Sequence, residues 1–210
     1  NSLRCIGEEL ENVDNAVNFI SELRQADSLL NVKVGRDVVV IGGGMTAVDA
    51  AVQSKLLGSQ NVSLVYRRGK KDMSASIYEQ DLATSKGVRI IYNATPLEVV
   101  KNNSTLNVKF GYTETIDSKL KQTGETFNLA ANQVLKAIGQ NLSEEINSLK
   151  ISNGKIYVDQ NGQTNISNIW AGGDCVTAGD DLTVTAVAQG RDAAIDINSQ
   201  LMKQIKKEGQ

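Results

Sequence analysis

A chain of 210 residues with 40% hydrophobic and 22% charged residues can bury the core of one domain or one and a half, and its composition speaks against disorder and against a membrane protein. Its 22 basic and 24 acidic residues give a formal net charge of -2, which argues against nucleic acid as the main partner. The absence of histidine excludes imidazole acid–base chemistry and histidine metal ligation, so a bound cofactor is expected to supply any chemistry.

From Val13 the apolar residues Val13, Ala16, Val17, Ile20 and Leu23 recur at helical spacing, with Asn12 as the expected cap. Residues 1–33 are therefore expected to form a connecting segment carrying one amphipathic helix. Two cysteines, Cys5 in this segment and Cys175 far beyond it, are too distant for a redox or zinc motif and point to a reducing, cytoplasmic setting. The β-branched run Asp37 to Ile41 ends in Gly42-Gly43-Gly44, the pattern of a buried parallel strand entering a tight turn. Met45 to Leu57 is rich in alanine and leucine and stops at Gly58, as a helix does. Val62 to Tyr66 then supplies a second strand and closes a βαβ unit. A helix from about Ile77 to Lys86, stopped by Gly87, leads into the strand Val88 to Tyr92.

Beyond Tyr92 the pattern changes. Leu97 and Val99, then Leu106, Val108, Phe110 and Tyr112, alternate with polar residues across the break Asn102-Asn103-Ser104, which predicts antiparallel strands with one solvated face. A third strand near Phe127 to Leu129 completes a meander, and Val134 to Gly139 returns to the buried pattern. The polar stretch from Asn141 to Asn153 marks a domain boundary. After it, Asn153-Gly154 and Asn161-Gly162 flank a strand from Lys155 to Val158. A strand from Asn168 to Ala171 meets Gly172-Gly173-Asp174, and a last helix of about Leu182 to Met202 carries Val184, Val187, Ala188, Ile195 and Met202 on one face.

Three segments carry chemistry. Gly42-Gly43-Gly44-Met45-Thr46-Ala47 fits G-x-G-x-x-A between a strand and a helix, the context a dinucleotide site demands. Gly42 permits the turn, Gly44 lets a pyrophosphate approach the backbone, Ala47 allows close helix packing, and the helix start offers free N–H groups. A plain structural glycine turn is the competing reading. After the second strand, where an NAD site usually places Asp or Glu, this chain has Arg67 and Arg68, followed by Lys70 and Lys71. Guanidinium groups pair with a 2′-phosphate that a carboxylate would repel, so NADPH is expected over NADH. A solvated basic loop is the bland alternative, stronger for the two lysines. Third, a strand running into Gly173 and Asp174, then Thr183 and Val184 at a helix start, suits a second cofactor site, while Asp174 capping a turn fits equally well.

Together these segments, with Ile6 to Leu10 and Asn15-Ala16-Val17, resemble the pyridine nucleotide-disulfide oxidoreductase superfamily, in the branch of glutamate synthase small subunits and the amino-terminal half of dihydropyrimidine dehydrogenases. The resemblance implies an α/β fold with two nested dinucleotide-binding domains. A Rossmann-like three-layer parallel sheet with an antiparallel β-meander crossover, residues 34–140, binds NADPH, and residues 141–210 are the C-terminal part of an FAD-binding domain. It places Gly42, Gly43, Gly44, Met45, Thr46, Ala47, Arg67 and Arg68 on the NADPH motif and Ala137 and Gly139 on the return crossover. Gly173 and Asp174 fall at the FAD ribityl chain, and Thr183 and Val184 at the helix facing the flavin.

The resemblance further implies that the N-terminal FAD half and the cysteines of iron–sulfur clusters lie outside this chain, which alone is expected to be inactive. Electrons would pass to a partner subunit or domain, without nucleic acid or membrane. Ser74 stands where the family commonly has proline. A thioredoxin reductase-like enzyme would need a C-x-x-C pair that is lacking. A dihydropyrimidine dehydrogenase-type electron-input module and a non-enzymatic NADP(H) sensor remain as alternatives.

Overall fold

Four consecutive β-branched residues, Val38 to Ile41, form the centre of β2 (Asp37–Gly42). Successive side chains of a strand point to opposite faces, and both faces are covered here. Val38 and Val40 pack into a helical layer, Val39 and Ile41 into an antiparallel one. The computed structural model describes residues 1–142 and 148–208 and divides into two units, Asn1–Gly139 and Gln140–Gln210.

In the first unit a parallel sheet runs in the order β1 (Val13–Asn15), β8 (Gln133–Ala137), β2, β3 (Asn61–Val65), β4 (Val88–Ile91). Helices α1 (Ala16–Gln25), α2 (Met45–Leu56) and α3 (Ile77–Ser85) contribute to the layer on one face. The meander of β5 (Ala94–Asn102), β6 (Thr105–Ile116) and β7 (Lys119–Ala131) covers the other. This is the three-layer Rossmann-like arrangement, with the meander as the crossover from β4 to β8. Leu64 and Phe110 are fully buried in the two cores, each worth about 1.5–3 kcal/mol of transfer free energy. The ring of Phe110 stacks on Phe127 at 5.3 Å.

Local chemistry sets the joints. Asp117 and Ser118 both hold positive φ between β6 and β7, the type I′ pattern of a two-residue hairpin. Ser76 and Glu79 form a reciprocal capping box at the start of α3. Val13 does not begin a helix, as its spacing suggested. It pairs in parallel with Val134, α1 starts only at Ala16, and Asn12, at φ 69, turns the chain rather than capping it. Val13 satisfies a helical spacing and a strand's burial at once, and the partner strand decides between them. The segment before residue 34 thus adds an edge strand and a packed helix to this unit.

The second unit is smaller in core. Ile156, Val158 and Val176 form its buried cluster, beside the hairpin β9 (Ile151–Ser152) and β10 (Lys155–Ile156). The strand expected to Val158 ends at Ile156. No strand covers Asn168 to Ala171 either: Asn168 sits at φ 66, which breaks the extended run, and only a single bridge joins Trp170 to Gln163. Helix α4 (Thr183–Glu208) runs beyond the expected end. Its apolar residues Val184, Val187, Ile195 and Met202 are exposed. Within the stretch from Asn141 to Asn153 expected to mark the boundary, residues 143–147 lie outside the described residues.

Candidate functional site

The glycine turn is fixed by what surrounds each residue. Gly42 lies opposite Ala137 in the β2–β8 register, and a Cβ there would stand 2.2 Å from the Ala137 backbone oxygen. Gly43 lies under Tyr66, whose ring carbons would be 2.3 Å from its Cβ. Gly44 is different: within 4 Å its Cβ would meet only the Ser74 hydroxyl, at 3.4 Å. Gly42 and Gly43 are therefore glycines because the protein crowds them, whereas Gly44 leaves backbone open to an approaching group.

Helix α2 starts on this turn. Its N-cap is Gly44, with no side-chain cap and no acidic residue in the first turn. The amides of Ala47 and Val48 donate to the Gly44 carbonyl at 3.0 and 3.2 Å, while those of Met45 and Thr46 precede the first intrahelical bonds. Met45 and Thr46 are exposed, and Ala47 is fully buried against the sheet. The positive end of the helix dipole is thus left for an external anion.

Tyr66 directly follows β3 and ties three pieces together. Its ring covers Gly43, its hydroxyl donates to the Asp72 carbonyl at 2.6 Å, and its amide donates to Ile91 at 2.8 Å. Arg67, exposed, and Arg68, half-buried, follow at once. Among the described residues neither guanidinium pairs with a carboxylate, whereas Lys70 pairs with Asp81. The two arginines therefore carry free positive charge one and two residues beyond the tyrosine packed on the glycine turn.

Ser74 and Ala75 close the turn from the other side, the Ser74 hydroxyl donating to the Gly43 carbonyl at 3.2 Å and the Ala75 amide at 3.0 Å. Proline at position 74 could not make the first of these bonds. On the crossover, Ala137 contacts Gly42, and Gly139 turns at φ 83 beside Asn1, whose side-chain amide donates to the Ile138 carbonyl at 3.2 Å.

In the second unit Gly173 turns at φ 82, and its amide donates to the Gln189 side chain at 2.6 Å. That amide is thus bonded within the second unit. Gln189 also donates to the Ala178 carbonyl at 2.7 Å, so one side chain of α4 holds both ends of the loop. The Asp174 side chain is exposed and caps nothing among the described residues. Thr183 and Val184 are exposed at the start of α4, where no acidic residue occupies the first turn.

The sequence profile of the pyridine nucleotide-disulphide oxidoreductases matches residues 2–190. The chain belongs to this family. It is 32% identical over 194 residues to the "NAD-dependent dihydropyrimidine dehydrogenase subunit PreT" of Salmonella typhimurium, covering 92% of this chain and 43% of that protein. It is 35% identical over 179 residues to the "Glutamate synthase [NADPH] small chain" of Escherichia coli, covering 76% and 38%. The chain thus spans less than half the length of these relatives. The fold also matches the thioredoxin reductase of T. acidophilum, with a TM-score of 0.75 at 20% identity over 96% of this chain and 62% of that one.

Membership of the pyridine nucleotide-disulphide oxidoreductases places the chain in a family of oxidoreductases named for pyridine nucleotides. The structure brings Gly42 to Ala47, Tyr66, Ala137 and Ser74 to one corner of the first unit. Gly173, Asp174, Thr183 and Val184 belong to the second unit. Sequence reasoning assigned no contact to Ser74 and no role to Tyr66, because their contacts with Gly43 cross from one loop to another. Among the described residues no helix is long and apolar enough to cross a membrane, and no cluster of acidic or cysteine side chains could hold a metal.

Proposed function

We propose that this chain is the NADPH-binding domain, residues 34–140, and the closing part of the FAD domain, residues 141–210, of a glutamate synthase small-subunit-like flavoprotein. When bound, NADPH would supply a hydride for FAD to take up, with the electrons destined for iron–sulfur centres outside this chain. The chain's own part is to bind and orient. The uncapped amides at Met45 and Thr46 face the pyrophosphate, the opening over Gly44 admits it, and Arg67 and Arg68 hold the 2′-phosphate. In the second unit the free carboxylate of Asp174 suits a polyol hydroxyl, and the start of α4 suits an electron-rich ring. An electron-accepting subunit or domain is the expected partner, in keeping with the relatives' names as subunits or chains.

The observation that carries this reading is the pair of guanidiniums without carboxylate partners, placed directly after the residue that packs on the glycine turn. It favours NADPH over NADH, although one relative is named NAD-dependent. Calorimetric titration of the full-length protein with NADP+ and NAD+ tests it. An Arg67→Ala, Arg68→Ala double variant loses NADP+ affinity selectively, and equal losses for both nucleotides would refute the assignment.

A further inference from the structure

The backbone that carries the two arginines is held at every carbonyl. Tyr66 accepts from the Ala94 amide at 3.1 Å, Arg67 from the Thr113 hydroxyl at 2.8 Å, and Arg68 from the Asn93 amide at 3.1 Å. Two of these donors belong to the corner between β4 and β5, where Asn93 takes φ 56. The third reaches across from β6, in the meander. The Thr113 amide also donates to the Asn93 carbonyl at 2.8 Å, so one threonine grips both the corner and the arginine loop.

Thr113 is placed for this. Phe110 and Tyr112 both meet the Phe127 ring, at 5.3 and 4.9 Å, so the next residue along the strand points to the opposite face. There the β6–β7 register slips between Gly111 and Thr113. Thr113 is 5% exposed, on a strand whose next residues, Glu114 to Ile116, are all exposed. A buried hydroxyl needs a partner, and the only side-chain bond of Thr113 among the described residues goes to the Arg67 carbonyl.

We propose that Thr113 is a positioning residue that sets the preference for NADPH over NADH by fixing the peptide from which the Arg67 guanidinium projects. This rests on the assignment of Arg67 and Arg68 to the 2′-phosphate. A planar guanidinium fork pairs with phosphate only when its base is placed correctly. Without the hydroxyl, the Arg67 carbonyl loses its acceptor bond and the loop gains freedom to rotate. NADH has no phosphate at that position and depends on the glycine turn, so its binding does not change.

The test uses the full-length protein, titrated calorimetrically with NADP+ and NAD+. Thr113→Val keeps the shape and removes the hydroxyl, and it should weaken NADP+ about three- to tenfold, the equivalent of one hydrogen bond, leaving NAD+ unchanged. Thr113→Ser keeps the hydroxyl and should restore the wild-type ratio. Thr113→Ala reads the same ratio should valine unsettle the fold. Equal weakening of both nucleotides, or a wild-type ratio in every hydroxyl-free variant, overturns the proposal. If the double arginine variant leaves the ratio intact, the 2′-phosphate assignment itself fails. If that variant shifts the ratio and Thr113→Val does not, only the role of Thr113 falls.

Discussion

The ring of Tyr66 lies over Gly43 so closely that any side chain at position 43 would collide with it, a Cβ standing 2.3 Å from two ring carbons. Gly43→Ala should therefore destabilise the first unit by about 1–3 kcal/mol, the usual range for overpacking. Tyr66→Leu should cost less and should relieve part of the Gly43→Ala penalty. Urea unfolding of the two single variants and the double variant forms the cycle; strictly additive losses would show that ring and turn do not press on each other.

Ser74 donates to the Gly43 carbonyl and borders the opening over Gly44. Ser74→Ala removes one bond that tethers the turn and should lower nucleotide affinity by roughly three- to tenfold, the scale of a single hydrogen bond. Both NADP+ and NAD+ should be affected, because both carry the pyrophosphate. Fluorescence titration reads the effect, and a loss confined to NADP+ would contradict it.

Gln80 is buried inside α3, with its amide nitrogen donating to the Ala75 carbonyl at 2.8 Å and its oxygen accepting from the Tyr92 hydroxyl at 2.9 Å. Gln80→Leu keeps the bulk and strands both partners. The expected cost is about 1–3 kcal/mol for the orphaned groups. Removing the Tyr92 hydroxyl as well, with Tyr92→Phe, should recover part of it in thermal or urea unfolding. A Gln80→Leu variant as stable as wild type would show that these bonds contribute nothing.

The Ser2 hydroxyl holds the Glu8 carboxyl below its ordinary value of 4.5, and the backbone amides of Leu3 and Arg4 add to the effect. A carboxyl lowered in the folded state contributes stability above its ordinary value, and that contribution fades as pH falls through the lowered one. The amides of Leu3 and Arg4 should thus keep their protection above the carboxyl's ordinary value and lose it only as pH falls through the lowered one. Hydrogen exchange followed across that range checks this. In Glu8→Gln the protection of these amides, taken relative to their intrinsic exchange at each pH, should not change with pH.

Elements whose cause is local could be read directly from the residues. The run Val38 to Ile41, the three glycines after it and the alternation Leu106, Val108, Phe110 each carry their own period, and the strands stand where those periods put them. Val13 could not be read this way, since its partner Val134 lies across the fold. Nor could the bond from Thr113 to Arg67, which depends on where β6 passes the end of β3. The glycine turn was legible as a motif. That Gly42 and Gly43 serve the protein's own packing, while Gly44 keeps the opening, became visible only with their neighbours in place. In the second unit, the turn at Asn168, φ 66, falls on the first residue of the expected strand.

The edge position of β1 beside β8, with Asn1 bonded to Ile138, brings the two ends of residues 1–139 side by side. A unit with adjoining ends is suited to use as a cassette: a host chain cut open to receive it has its severed ends returned side by side. A loop of glycine and serine bridging that doorway would let the host close over the gap, and the released module would remain a candidate for circular permutation at the same seam.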